Sequence, residues 1–364
     1  PRTVDTFPYR LPEINVLKSA VAQDAANAQA QNLLGCVLYD KRRHAEAAAA
    51  WEQAIQAAPD YYMSYRNLAV AKYSYLGERE AALALLKKAM ELHPKDDFLL
   101  KEVNYVMARL GTDGHERVDY LQANVPEKPS DHLSWDMADA YSNIQEFDQA
   151  LEILANHEFV AAECCETYLT EAYTFACSAK GRLDLKNGNL ESALEWFRKG
   201  QQIPENFRAG WWDTQALYYI RYFEAFTLIQ LDRREEATPI LEGIVNFVRS
   251  EYSPYMGPEV DYYIAASHRL LGDEVTARLH MSRKVMEWES ELESDLDRKP
   301  PATAVYISYI DDWAQWHEST MLNALAYSRL FFNDSFGAGE YFASSLKLCP
   351  DNIKAKFECV LLNG

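Results

Sequence analysis

Glycine and proline are scarce in this chain, 14 of each in 364 residues. A protein of many short strands turns often, and turns favour those two residues. The shortage therefore argues against a sandwich or barrel, and long Ala/Leu/Glu/Arg stretches favour helix instead. No run of about 18 apolar residues occurs, so no membrane-spanning helix is expected. There is no Cys-x-x-Cys pair, and a large helical core needs no disulfide staple. Cys36, Cys164, Cys165, Cys177, Cys349 and Cys359 are read as reduced, mostly buried thiols of a cytoplasmic protein. Basic residues are outnumbered, 36 Lys and Arg against 55 Asp and Glu, for a net charge of −19. A surface of that sign repels phosphate backbones, so nucleic acid is not an expected partner. A Gly-rich phosphate loop, a Gly-x-Ser-x-Gly elbow and a His-Glu-x-x-His helix are all missing. No cofactor, no metal and no independent enzyme activity are expected. Pro1–Asp5 has no signal-peptide pattern, and without an initiator Met the sequence reads as a piece of a longer protein.

What is present is a folded composition, 48% hydrophobic and 25% charged, in a chain too long for one ordinary core. A repeat array escapes that limit, because each unit packs only on its neighbours. The stretch from Ala28 to Tyr61 supplies the repeat. With Ala28 as position 1, Leu34-Gly35, Leu38, Ala47, Trp51, Ala54 and Pro59 fall at positions 7, 8, 11, 20, 24, 27 and 32. Small residues at 8, 20 and 27 let two helices cross closely, the large one at 24 fills the space between repeats, and the proline ends the second helix. This is the tetratricopeptide spacing, a helix-turn-helix of about 34 residues. The frame recurs at Ala69, Ala82, Ala89 and Pro94, with one extra residue in the turn. It is weak in a third repeat from Phe98, where Arg117 replaces Ala. It returns at Ala138 and Ala150, then Gly181, Ala193, Phe197 and Gly200. Ala225, Ala237 and Leu241 follow, then Ala265 and Ala277, and finally Ala326, Ala338, Phe342 and Pro350. Turns are expected at 40–43, 187–189, 271–273 and 333–335, where Gly and Asn tolerate positive φ.

The spacing predicts an all-α protein, a right-handed α-solenoid of about eight such repeats with irregular insertions. Its expected parts are a lead-in and capping helix (1–27), repeats one to three (28–131), four and five (131–207), six and seven (208–297), and a linker, repeat eight and a terminal helix (298–364). Insertions are expected at 203–214, with Trp211 and Trp212, and at 250–258. Gly35–Trp51, Tyr65–Leu76, Asp96–Leu110, Leu151–Phe159 and Ala193–Asn206, ending in Gln-Ile-Pro-Glu-Asn, carry a further resemblance over roughly residues 10–290. The array resembles the C-terminal tetratricopeptide half of bacterial two-part proteins. Their N-terminal half is a β-rich domain of unknown function, similar to galactose-mutarotase-like sugar-binding sandwiches. The chain departs from that pattern after Phe159, at Cys164-Cys165-Glu166, and after Asn206. The resemblance implies a setting in carbohydrate utilisation.

The histidines are scattered, and the nearest approach to a metal cluster is His317-Glu318 with Asp311-Asp312. Asp312 and His317 share a helix face poorly. Cys164-Cys165 reads as two small buried hydrophobes. The acids at Glu287, Glu289, Glu291, Glu293, Asp295 and Asp297 read as a solvated helix extension, or else as a contact for a basic partner.

In this repeat class, positions 2, 5, 9 and 12 of the first helix face the inner surface. Within an acidic protein those positions collect Arg66, Arg109, Arg182 and Arg269, with Tyr73, Trp135, Asp139, Tyr219, Tyr222, Tyr262 and Tyr327. Arginine with aromatics anchors bound segments. The reading is a scaffold binding a peptide or partner protein, or a carboxylate-bearing ligand, in its concave groove. The other reading for the aromatics is packing between tightly wound repeats. Asn32 and Cys36 stand where a tetratricopeptide carboxylate clamp has Lys and Asn, so that clamp is not expected. The rival function is the accessory half of a carbohydrate-active or carbohydrate-binding bacterial protein. Its sugar chemistry would lie in a separate N-terminal domain, which could itself be the partner.

Overall fold

The structure, a computed structural model, describes residues 8–160, 165–209, 216–246, 257–293 and 313–363. Helix α1 (Leu11–Gln23) leads in. The helices then come in pairs: α2 (Ala28–Asp40) with α3 (His44–Ala57), α4 (Tyr62–Ser74) with α5 (Arg79–Leu92), and α6 (Asp97–Arg109) with α7 (Gly114–Asn124). The series continues with α8 (Asp131–Asn143) and α9 (Phe147–Asn156), α10 (Cys165–Lys186) and α11 (Leu190–Lys199), and α12 (Ala216–Gln230) and α13 (Arg234–Val245). It ends with α14 (Val260–Leu270) and α15 (Glu274–Glu293), α16 (Trp313–Phe331) and α17 (Ser335–Leu348), and a last helix, α18 (Ile353–Asn363). A 3-10 turn spans Glu205–Phe207. No strand occurs among the described residues. The fold is all-α, with consecutive helix pairs stacked as in a tetratricopeptide-like solenoid. The described residues fall into two compact units, one over 8–129 and the other from 130 to the last helix.

The small residues of the repeat lie where the helices of a pair cross. Ala47, Ala69, Ala82, Ala150, Ala193, Ala225, Ala237, Ala265, Ala277, Ala326 and Ala338 are all completely buried. The large residue at position 24 lies over the small one at position 8, as Trp51 lies over Gly35 and Phe197 over Gly181. The turn between paired helices has its own signature. A residue at positive φ closes each one: Arg42, Gly77, Gly111, Gln145, Gly188, Asp232, Gly272 and Asn333. A left-handed residue is the usual way to end a helix and free its last carbonyls for capping N–H groups. The extra residue in the second repeat is absorbed there, at Gly77.

Between α11 and α12 the 3-10 turn clamps the preceding pair. Asn206 Nδ2 donates to the carbonyls of Leu154 (2.8 Å) and His157 (2.7 Å), and the Phe159 N–H donates to Asn206 O at 3.0 Å. Phe207 is buried against Phe159 and Tyr173, rings edge to face. The Pro-Glu-Asn run singled out in the sequence thus fastens the loop after α9.

Candidate binding face

In the first unit, the first helices of repeats two and three present Arg66 and Glu102 to each other. Arg66 holds the Glu102 carboxylate with two nitrogens, at 2.6 and 3.0 Å, and its guanidinium lies 5.2 Å from the Phe98 ring centroid. Both side chains are largely covered. Beside them, Asn32 Oδ1 accepts from Asn67 Nδ2 and Ser64 Oγ, both at 3.2 Å. Tyr73 is 1% exposed and packs in the core of this unit. Arg109 is half-buried, its guanidinium 5.2 Å from the Tyr105 centroid. These side chains form a polar ladder in which Arg66 already holds a carboxylate.

The second unit carries a larger assembly. Tyr222 on α12, Tyr262 and Tyr263 on α14 and Tyr327 on α16 form a contiguous aromatic cluster. The ring centroids are 5.3 Å apart for Tyr262–Tyr327, 5.4 Å for Tyr222–Tyr263 and 6.4 Å for Tyr222–Tyr262. Tyr219 stands 6.3 Å from Tyr263. Arg182 on α10 reaches this cluster and lies 4.5 Å from the Phe223 centroid and 5.1 Å from that of Phe357. Its two terminal nitrogens hold the Glu358 carboxylate at 2.6 and 2.8 Å, and the Tyr327 hydroxyl donates to the same carboxylate at 2.9 Å. Burial alone would lower the Arg182 guanidinium, but the Glu358 charge beside it holds it above its ordinary value. Burial pushes every tyrosine of the cluster up, Tyr262 to about 12.

Glu358 belongs to α18, which crosses the same face. Lys354 Nζ sits 2.6 Å from Glu259 and 3.1 Å from Glu171. Its burial acts to lower it, and the two carboxylates raise it well above the usual lysine value. Asn143 on α8 donates to Asp351 O at 3.1 Å and accepts from Lys356, and Lys186 donates to Leu361 O at 3.0 Å. Phe357 is buried between Phe147 and Phe175, at 5.7 and 5.9 Å. Trp135 and Asp139 are half-buried on α8, the helix against which α18 lies. Arg269 turns elsewhere, to Glu274 at 2.8 Å and to the Phe331 carbonyl and ring.

Arg182, Tyr222, Tyr262 and Tyr327, read from inner-face positions, are therefore brought together with Tyr219 beside them. Glu358, Phe357, Lys354 and Tyr263 were not singled out in the sequence. The signal for three of them was the repeat frame itself. Continued past Pro350, the frame puts Lys354 and Phe357 at inward positions 2 and 5, with Glu358 adjacent.

Ser134 Oγ lies 3.0 Å from His157 Nδ1, and His157 Nε2 lies 2.6 Å from Asp131. That is the connectivity of a nucleophile, base and orienting acid. Ser134 is only 2% exposed, and Asp131 also accepts from the Val160 N–H at 2.8 Å. The three residues fasten the start of α8 to the loop after α9. His317 lies 2.9 Å from Glu291. Asp311 and Asp312 lie outside the described residues, among which no three metal-ligating side chains converge. Cys36, Cys177 and Cys349 are buried free thiols and Cys359 a half-buried one. Burial raises Cys36 to about 11 and Cys177 to about 12, away from reactive thiolate character. The Cys164 and Cys165 side chains, Trp211 and Trp212, Asp295 and Asp297, and the loop at 250–256 lie outside the described residues. Between Phe207 and Tyr263 the described aromatics are buried or partly buried in the second unit. No described helix is long and apolar enough to cross a membrane.

Residues 28–61 match the family model of the tetratricopeptide repeat. Among solved structures, the chain is similar to YrrB, a TPR protein with an unusual peptide-binding site. The identity is 16% and the TM-score 0.39, over 51% of this chain and 91% of that one. It is also similar to a chain of the Naa15/Naa10 complex bound to HypK-THB, at 13% identity and TM-score 0.42, over 96% of this chain and 57% of that one. A third likeness is to the apo quorum sensor NprR from B. thuringiensis, at 12% identity and TM-score 0.34, over 93% and 81%. At these identities the likeness concerns helical architecture alone.

Proposed function

We propose that the chain is a non-catalytic interaction scaffold, which holds a segment of a partner protein on the inward faces of the first helices of its repeats. The observation that carries this is the seat of α18. A helix outside the repeat pairs packs against α8 and reaches Arg182 of α10, held by an arginine on a carboxylate, by tyrosines, and by an aromatic ring between two others. These are the side-chain types that anchor bound segments. The paired Arg66 and Glu102 give the first unit a related, smaller version.

The test is capture on the immobilised chain from native lysate, followed by cross-linking and mass spectrometry. Cross-links from the partner are expected on α4 and α6 or on α8, α10, α12, α14 and α16. Cross-links confined to the outer helices α9, α11, α13 and α17, or no enriched protein at all, would remove this reading.

A further inference from the structure

Large apolar side chains scattered singly over a surface are ordinary. On α15 three of them share one stripe. Val275, Leu279 and Met286 are 79%, 71% and 71% exposed, and their spacing sets them on one face of the helix. The opposite face does the packing. Ala277, Met281 and Trp288 are buried there, in a cluster with Ala265 of α14 and Met321 and Leu325 of α16. Thus α15 has one apolar face that is covered and one that is open. Beside the open stripe, the Arg278 guanidinium lies 6.0 Å from the centroid of the Phe332 ring, itself exposed. The open face is also divided by charge. Arg278 and Arg283, both exposed, flank its first half. Glu289 and Glu293, also exposed, stand on its second half, and no base lies in the last turn. Acids at that end of a helix oppose the backbone dipole, a cost that a base brought against them would remove.

We infer that this open face of α15 pairs antiparallel with the same face of a second copy of the chain. A helix that is basic in its first half and acidic in its second is its own complement when turned end to end. About a two-fold axis at residues 283–284, Leu279 of one copy packs beside Met286 of the other, and Arg278 stands level with Glu289. Both contacts occur twice, because a two-fold interface is the same patch on both sides. A parallel pair would set base on base and acid on acid, and that repulsion selects the antiparallel one. Three apolar anchors on each side suit a dimer of micromolar order rather than a permanent one. The acidic run that the sequence offers as a contact for a basic partner thus meets the basic half of α15 in the second copy. This pairing goes beyond the scaffold reading. It uses the second helix of a pair, whereas partner capture uses first helices, so the two stand or fall separately.

The test is sedimentation equilibrium of the full chain between about 1 and 100 μM. The mass is expected to rise towards that of a dimer. Leu279→Glu with Met286→Glu should weaken the dimer at least about tenfold. Val16→Glu, at an exposed apolar position of α1, should leave it unchanged. Two charge variants then test the direction of pairing. One carries Arg278→Glu and Arg283→Glu, the other Glu289→Lys and Glu293→Lys. Each alone should dimerise at least about tenfold more weakly, and an equimolar mixture should recover the affinity of the unaltered chain. An unaltered chain that stays monomeric throughout overturns the inference, and so does a dimer indifferent to the α15 substitutions. A mixture that associates no better than its components overturns the antiparallel pairing. If circular dichroism shows that the Leu279→Glu, Met286→Glu chain has not folded, the mixture decides alone. A monomeric chain whose α15 cross-links to a different protein would assign the face to that protein and overturn the second-copy assignment.

Discussion

Gly35 and Gly181 show how strictly single positions are set. A Cβ at Gly35 would lie 2.4 Å from Trp51 Nε1, and one at Gly181 would lie 2.5 Å from Phe197 Cε1. Trp51 is itself fixed, since its indole N–H donates to Asn32 O at 3.1 Å. In an unconstrained helix, replacing Gly by Ala stabilises by about 1 kcal/mol. At a closed contact, overpacking costs about 1–3 kcal/mol. The contact wins here, so Gly35→Ala and Gly181→Ala should each destabilise by about 1–2 kcal/mol. Urea unfolding measures this, and Phe197→Leu should recover part of the Gly181→Ala loss by making room. A rise in the urea midpoint on Gly35→Ala would show that the ring moves freely and that the closeness is unimportant. These small-and-large pairs were legible in the sequence, because helix crossing fixes both members at constant spacing. The depth of Tyr73, Tyr222 and Tyr327 was not. A position in the repeat gives the direction a side chain leaves its helix, and burial depends on what another element lays over it.

At the scale of the helix pair, the turn recurs while its residue changes. Gly188 and Gly272 adopt positive φ without strain, whereas Gln145, Arg42 and Asp232 carry a Cβ into the left-handed region at φ of 66°, 60° and 57°. That conformation costs an L side chain roughly 1–2 kcal/mol, partly offset by the greater freedom glycine has when unfolded. Gln145→Gly should therefore stabilise the α8–α9 pair by about 0.5–1 kcal/mol, read as a higher denaturation midpoint with unchanged slope. A loss of stability would mean that the Gln145 side chain makes a compensating contact. The sequence marks the turns at 187–189, 271–273 and 333–335 because Gly or Asn stands there. It is silent at Gln145, where position in the repeat sets the backbone and the residue merely tolerates it. The same limit applies to α18. Its helix follows from the pattern after Pro350. Its partners do not, because Arg182 and Glu358 meet only when helices far apart in the chain are wound together.

For the molecule as a whole, the buried tyrosine cluster makes the second unit sensitive to alkali. Tyr222, Tyr262, Tyr263 and Tyr327 are all held protonated above the ordinary tyrosine value, burial being the first cause in each, with Tyr262 at about 12. A phenol is neutral while protonated, and the native state keeps that proton to higher pH than the unfolded chain, whose tyrosines titrate near 10. The native state therefore binds more protons between about pH 10 and pH 12, and stability falls as pH rises through that window. Below about pH 10 the contribution is complete and constant. The buried set should ionise together with loss of helix, followed by tyrosinate absorbance and circular dichroism on one sample. High salt screens the acidic surface but not buried phenols, so the transition should persist in salt. If every tyrosine titrated near pH 10 with helices intact, the cluster would be open to water. Tyr327→Phe separates the phenol from the packing. It removes the hydroxyl that donates to Glu358, should cost about 1 kcal/mol near neutral pH, and should move the alkaline transition upward because one buried ionisation is gone.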